Sequence, residues 1–179
     1  MASQPASLVP IPPPVTSGAA LVTKAAAGVS GSATSRLSSA EQALAAGIDT
    51  VRRQRGEAKL SVSSGLVRAA QEHAASMARL GYFSHSSPGG TPFWRRIARY
   101  YPVSGARTWK VGENLFWSVA PASSDAATSA WLASPEHKRI LLGRWTEVGV
   151  AVARVARAPG VFGDQDVVIV VADFGSRSR

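Results

Sequence analysis

The stretch Val167-Val168-Ile169-Val170-Val171-Ala172 is apolar without interruption and largely β-branched. A strand with one wet face alternates polar and apolar residues, so a strand without alternation is covered on both faces. Upstream, Val148, Val150 and Val152 alternate with Gly149, Ala151 and Ala153. That is a period-two strand whose small residues permit close packing on its second face. The turn-rich link 160–166 predicts a hairpin between the two.

The first half of the chain has a helical period instead. Ser38 with Glu41 fits a capping box, and Leu44, Ile48 and Val51 follow at helical spacing, with Gly56 as a stop. A second helix begins after Ser63 or Ser64, carries Leu66, Ala70, His73, Met77 and Leu80 on one face, and ends at Gly81. Residues 81–90 read as a loop, 91–100 as a short basic aromatic helix, 103–110 as irregular, and 125–133 as helix. Pro135 opens another helical turn. Helices first and strands last predict an α+β fold with helices packed on a sheet. The chain of 179 residues is long enough for one domain with a sizeable core and a tail. The expected division is a flexible Ala-, Pro- and Ser-rich tail over 1–36 and a single domain over 37–179.

No apolar run approaches the roughly 18 residues of a membrane-spanning helix, so the chain is expected not to be transmembrane. The N-terminal segment has its first cation at Lys24 and its prolines at Pro10, Pro12, Pro13 and Pro14, ahead of the weakly apolar stretch. That order does not match a signal peptide. The absence of cysteine removes disulfides, thiolate metal sites and thiol nucleophiles. The net charge of +9 comes nearly all from arginine, scattered as Arg52, Arg53 and Arg55, then Arg95, Arg96 and Arg99, then Lys138, Arg139 and Arg144. The expectation is a solvated basic surface attracted to polyanions. Without a basic block, an aromatic platform or zinc-finger spacing, no specific nucleic-acid recognition is expected.

There are three histidines. His73 lies on the apolar stripe of the second helix and reads as a core or boundary residue. His85, in Tyr82-Phe83-Ser84-His85-Ser86-Ser87, and His137, in Ser134-Pro135-Glu136-His137, lie in or beside loops next to aromatic residues, where function commonly sits. Glu113 stands between Val111 and Leu115. If those are core, its carboxylate needs a partner, which is a histidine, a helix N-cap or Arg107. The aromatic residues Tyr82, Phe83, Phe93, Trp94, Tyr100, Tyr101, Trp109, Phe116 and Trp117 concentrate around His85 and Glu113, divided between core and the lining of an apolar groove. There is no G-x-S-x-G elbow, phosphate-binding loop, dinucleotide fingerprint or H-E-x-x-H.

The ordered blocks Leu66…Ala69-Ala70…His73-Ala74…Met77, Gly81-Tyr82-Phe83-Ser84-His85 and Gly112-Glu113-Asn114-Leu115 resemble the bacterial branch of the CAP superfamily. So do Trp131-Leu132-Ala133-Ser134-Pro135-Glu136-His137, Glu147-Val148-Gly149-Val150 and Asp173-Phe174-Gly175. This superfamily comprises cysteine-rich secretory proteins, antigen 5 and pathogenesis-related proteins (SCP-like domains). The resemblance implies a three-layer α-β-α sandwich with a largely antiparallel central sheet, and a secreted or cell-surface location. It also implies a cleft of two histidines and two acids that often holds zinc or another divalent cation. By motif the histidines are His85 and His137 and one acid is Glu113. The position of the second acid is occupied by Ser134, and Glu136 is out of register. Asp49 stands where many bacterial members have asparagine. Neutral imidazoles suit zinc, with a carboxylate as ligand or as orienting partner.

The expected function is that of a secreted binding domain, a monomer and not an enzyme, holding a divalent ion and a small apolar or lipid-like ligand or a cell-wall component. The alternatives are a hydrolase, with Ser84, Ser86 or Ser87 as nucleophile or with metal-bound water, and a basic wall-associated domain binding anionic polymers.

Overall fold

The computed structural model describes residues 37–103, 105–123 and 125–178. The expected tail over 1–36 lies outside the described residues. Helix α1 (Ser39–Gln54) starts at the capping box, with Glu41 reaching back to the Ser38 amide at 2.8 Å and the Ser38 hydroxyl accepting from the Glu41 amide. A two-residue strand β1 (Ser61–Val62) follows. Helix α2 (Ser64–Leu80) ends where Gly81 takes a left-handed φ of 67°. Then come α3 (Phe93–Tyr100), β2 (Thr108–Val119), α4 (Ala126–Ala133), α5 (Pro135–Leu141), β3 (Glu147–Ala158) and β4 (Gln165–Ser178), the last two joined through a short 3-10 turn.

The sheet runs β1-β3-β4-β2, with the β1–β3 pair parallel and the other two pairs antiparallel. The hairpin expected from the valine-rich strands is present. Strand β4 lies inside the sheet and is covered on both faces, as its unbroken apolar run requires. Val168, Val170, Ala172 and Phe174 meet α1, α4 and α5, while Val167, Ile169 and Val171 meet α2. Gly149 explains how closely α2 approaches: a Cβ there would overlap the backbone of Leu66 and Val67. A third cluster joins Leu66 and Ala69 of α2 to Ile97 and Tyr101 at the end of α3. The result is the α-β-α sandwich with a mostly antiparallel sheet. No helix among the described residues is long and apolar enough to cross a membrane.

Three expectations need correction. Segment 103–110, expected to be irregular, enters strand β2 at Thr108. Gly112, Glu113 and Asn114 are poor strand formers, and it is the long register with β4, from Thr108↔Ser178 to Val119↔Val167, that holds them extended. Second, the arginines are not all solvated. Arg52 is buried and donates to the carbonyls of Ala58, Leu141 and Gly143, tying α1 to the C-terminal end of α5. Arg96 is also buried. Third, the division of the aromatic residues falls towards the core, with the Phe93 ring 6.2 Å from that of His85. Phe116, Tyr82, Phe83, Trp117, Phe93, Tyr100, Tyr101 and Trp109 pack in or against the three core clusters, and Trp94 is the exposed one of the nine.

Candidate functional site

Strand β2 is an edge strand, and consecutive residues of a strand point to opposite faces. Glu113 and Asn114 use that alternation to gather both layers of helices at one place. On the α2–α3 side, Glu113 is buried and takes His85 Nδ1 on its Oε1 at 2.8 Å. Its Oε2 accepts from the Arg96 guanidinium. On the α4–α5 side, Asn114 Nδ2 donates to the His137 carbonyl at 3.0 Å. Trp131 Nε1 donates to the Leu115 carbonyl at 2.9 Å and fixes α4 against the same strand.

His85, from the loop after α2, and His137, from the first turn of α5, thereby come from opposite layers towards β2. In the neutral ring, His85 donating Nδ1–H to the carboxylate leaves the lone pair on Nε2. His137 Nδ1 is bonded to the Ser134 hydroxyl at 2.8 Å, across the first turn of α5. Neither Nε2 has a hydrogen-bond partner among the described residues. The His137 pKa lies below its ordinary value, first through burial and then through the charge of His85, with Glu136 opposing.

Behind them sits a buried charge cluster. Burial opposes ionisation of Glu113, but Arg96 and then the His85 hydrogen bond outweigh it and hold the carboxyl well below the usual range. Directly across on β4, in register with Glu113, is the buried Asp173. Burial and the neighbouring Glu113 charge push its pKa well above the ordinary value. Neither Asp173 oxygen meets a donor among the described residues. Burial and the Glu113 charge therefore both favour the protonated form of Asp173. His73 lies 4.0 Å from Glu113 Oε2. Burial lowers its pKa to about 4, and its neutral ring donates Nε2–H to the Ser84 carbonyl at 2.8 Å. It is a core histidine, as its place on the apolar stripe predicts, and it anchors the loop that carries His85.

The other residues singled out in the sequence fall as follows. Ser134, in the position of the absent second acid, orients His137 without adding charge. Glu136 has a buried Oε2 without a hydrogen-bond partner and contributes a favourable charge beside His137. The Ser86 amide bonds to the Ser84 hydroxyl, and the Ser87 hydroxyl accepts from Arg96. None of the three loop serines has its hydroxyl bonded to a histidine ring among the described residues. Arg107 is exposed and is not the partner of Glu113. Asp49 accepts from the Leu60 amide at 3.1 Å and ties down the connection after α1.

Arg96 and Asp173 were missed, although the sequence carried a signal for each. Phe93, Arg96, Ile97 and Tyr100 share one helical face, so Arg96 sits on the inner stripe of α3 and requires a buried acid. Asp173 continues a strand already covered on both faces.

An α-β-α sandwich of this topology, with a loop histidine paired to a buried strand carboxylate, points to the CAP class of domain. The sequence matches the family model "CAP: Cysteine-rich secretory protein family" over residues 46–174, and the chain belongs to that family. Its fold is similar to an outer surface protein from Borrelia burgdorferi, with a TM-score of 0.62 at 20% identity, over 78% of this chain and 93% of that one. It is also similar to an extracellular protein containing an SCP domain from Bacillus anthracis, with a TM-score of 0.57 at 24% identity, over 75% of this chain. The match spans 39% of that Bacillus chain. Among curated proteins none matches the sequence.

Proposed function

We propose that this chain is an extracellular binding domain whose cleft takes a divalent cation on His85 Nε2 and His137 Nε2. One observation carries the reading: the buried Arg96–Glu113–His85 relay fixes the tautomer of His85 so that a lone pair is presented at Nε2. Outer-shell carboxylates do this for metal-bound histidines. Both oxygens of Glu113 are engaged, and no group of three or more ligating side chains is formed among the described residues. The donor set is therefore two imidazoles, with solvent or a ligand filling the remaining positions. Such a set fits a weakly held, exchangeable zinc or similar ion, not a closed structural site. The extracellular location rests on family membership and on the surface and extracellular proteins that share the fold. Calorimetric titration of zinc is the test. The expected result is one site of roughly micromolar affinity, at least tenfold weaker in His85→Ala and in His137→Ala at unchanged melting temperature. Absence of saturable binding in the parent, or an affinity in both variants equal to the parent's, would refute the metal.

A small apolar ligand belongs to the same proposal at a different place. A cavity of about 110 Å³ opens between α1 and α4, lined by Ala43, Leu44, Phe116, Ala127 and Val170, with Arg154 also on its lining. An apolar wall with one cation suits a short acyl chain bearing a carboxylate. Filling it by Ala127→Phe should abolish binding of a fluorescent fatty-acid probe while leaving zinc binding intact.

A further inference from the structure

Between α2 and α3 lies a concavity of about 390 Å³ whose lining includes neither His85, Glu113 nor His137. Four arginines face it: Arg79 of α2, and Arg95, Arg96 and Arg99 of α3. Two of them are already compensated, Arg99 by Glu72 and Arg96 by Glu113. Arg79 and Arg95 form no ion pair among the described residues, and Arg95 is held over the Trp94 ring at 5.3 Å. Arg96 is 2% exposed, and its Nε–H is buried with no acceptor. A buried donor without an acceptor is costly, most of all on a charged group. The opposite wall supplies the complementary feature, the Glu72 carboxylate, whose Oε1 takes Arg99, whose neighbour is the Tyr100 side chain and whose Oε2 is buried with no bonded donor among the described residues.

We propose that this pocket binds a hydroxyl-bearing phosphate monoester, a polyol or sugar phosphate. The dianion matches the two uncompensated guanidinium groups, whose planar forks are built for phosphate oxygens. A single carboxylate would leave one of them unmatched. Arg96 Nε–H supplies a further donor from the floor of the pocket. Glu72 Oε2 accepts from a ligand hydroxyl, which separates a polyol phosphate from the bare ion. The volume accommodates more than inorganic phosphate alone. This site does not depend on a metal at His85 and His137.

The probes are glycerol 3-phosphate, inorganic phosphate, acetate and glycerol, titrated calorimetrically into the full chain at low and at physiological salt. Glycerol 3-phosphate is expected to saturate one site and to bind at least tenfold more tightly than inorganic phosphate or acetate, with glycerol alone not binding. The Arg79→Ala, Arg95→Ala double variant, both positions being exposed, should weaken it at least thirtyfold at an unchanged melting temperature. Arg53→Ala with Arg55→Ala, on the exposed end of α1, should leave it unchanged, as should His137→Ala. Equal weakening by the α1 pair would show general attraction to a basic protein and overturn the site. So would acetate binding as tightly as the phosphate, or no saturable binding at all. Loss of zinc binding with phosphate binding retained would refute the metal proposal and leave this one standing.

Discussion

Glu113 and Asp173 show how two acids of the same chemistry, opposite each other on adjacent strands, take different charges. Glu113 has Arg96 and His85 and is ionised; Asp173 has only Glu113 and is not. Substitution should separate them. Glu113→Gln keeps the shape but strands the Arg96 charge in the interior, and breaking a buried pair from one side costs about 3 kcal/mol. The urea unfolding midpoint at neutral pH should fall accordingly, and zinc binding should weaken because His85 loses its orienting partner. Asp173→Asn keeps the shape and removes an acid whose ionisation is opposed by burial and by the Glu113 charge. It should raise stability by about 1 kcal/mol at pH 7.5, and the gain should fade as pH drops through the ordinary value of 3.8, below which the acid is protonated in both folded and unfolded chains. A drop on the scale of Glu113→Gln would mean that Asp173 is ionised in the fold.

Among the elements, α2 and β3 approach closely, because small residues of β3 let the helix backbone rest on the sheet. Gly149→Ala places a Cβ into the Leu66–Val67 backbone, which cannot swing aside as a flexible side chain would. Helix and strand must separate, and the expected destabilisation is about 3 kcal/mol, the upper end for an overpacked core. Ala153→Gly on the same face leaves open space and should cost about 1 kcal/mol or less. Thermal denaturation of the two variants checks the order. Strand β2 owes its existence to its neighbour in the same way: its own Gly112-Glu113-Asn114 centre disfavours a strand, and pairing along β4 supplies what local propensity does not.

At the scale of the whole molecule, the buried titratable groups set a pH window for folding. His73 has a folded pKa of about 4 against an ordinary 6.5. The unfolded chain therefore takes up this proton first, and the stability present above pH 6.5 is lost as pH falls towards 4. The full loss from this one residue is about 3 kcal/mol. Asp173 acts with the opposite sign, its contribution being present at low pH and lost as pH rises through its elevated folded value. Urea unfolding of the parent and of His73→Gln at pH 7.5 and 4.5 isolates the histidine. The gap between the two proteins should narrow or reverse at the lower pH, and a constant gap would show that His73 is charged in the fold.

Local pattern determined helices α1 and α2, the capping box at Ser38, the left-handed stop at Gly81 and the β3–β4 hairpin, because each depends on neighbours within a few residues. The ordered motif blocks likewise placed the chain in its family and singled out His85, Glu113 and His137. What no local pattern specified was who meets whom. Arg96 read as one more surface cation until α3 turned that face onto β2, and Asp173 read as the end of a strand until the register with β2 set it opposite Glu113. Segment 108–119 became a strand only through a partner some sixty residues away. Charge state, tautomer and strand pairing all depend on distances between residues remote in sequence, and those distances exist only once the layers have packed.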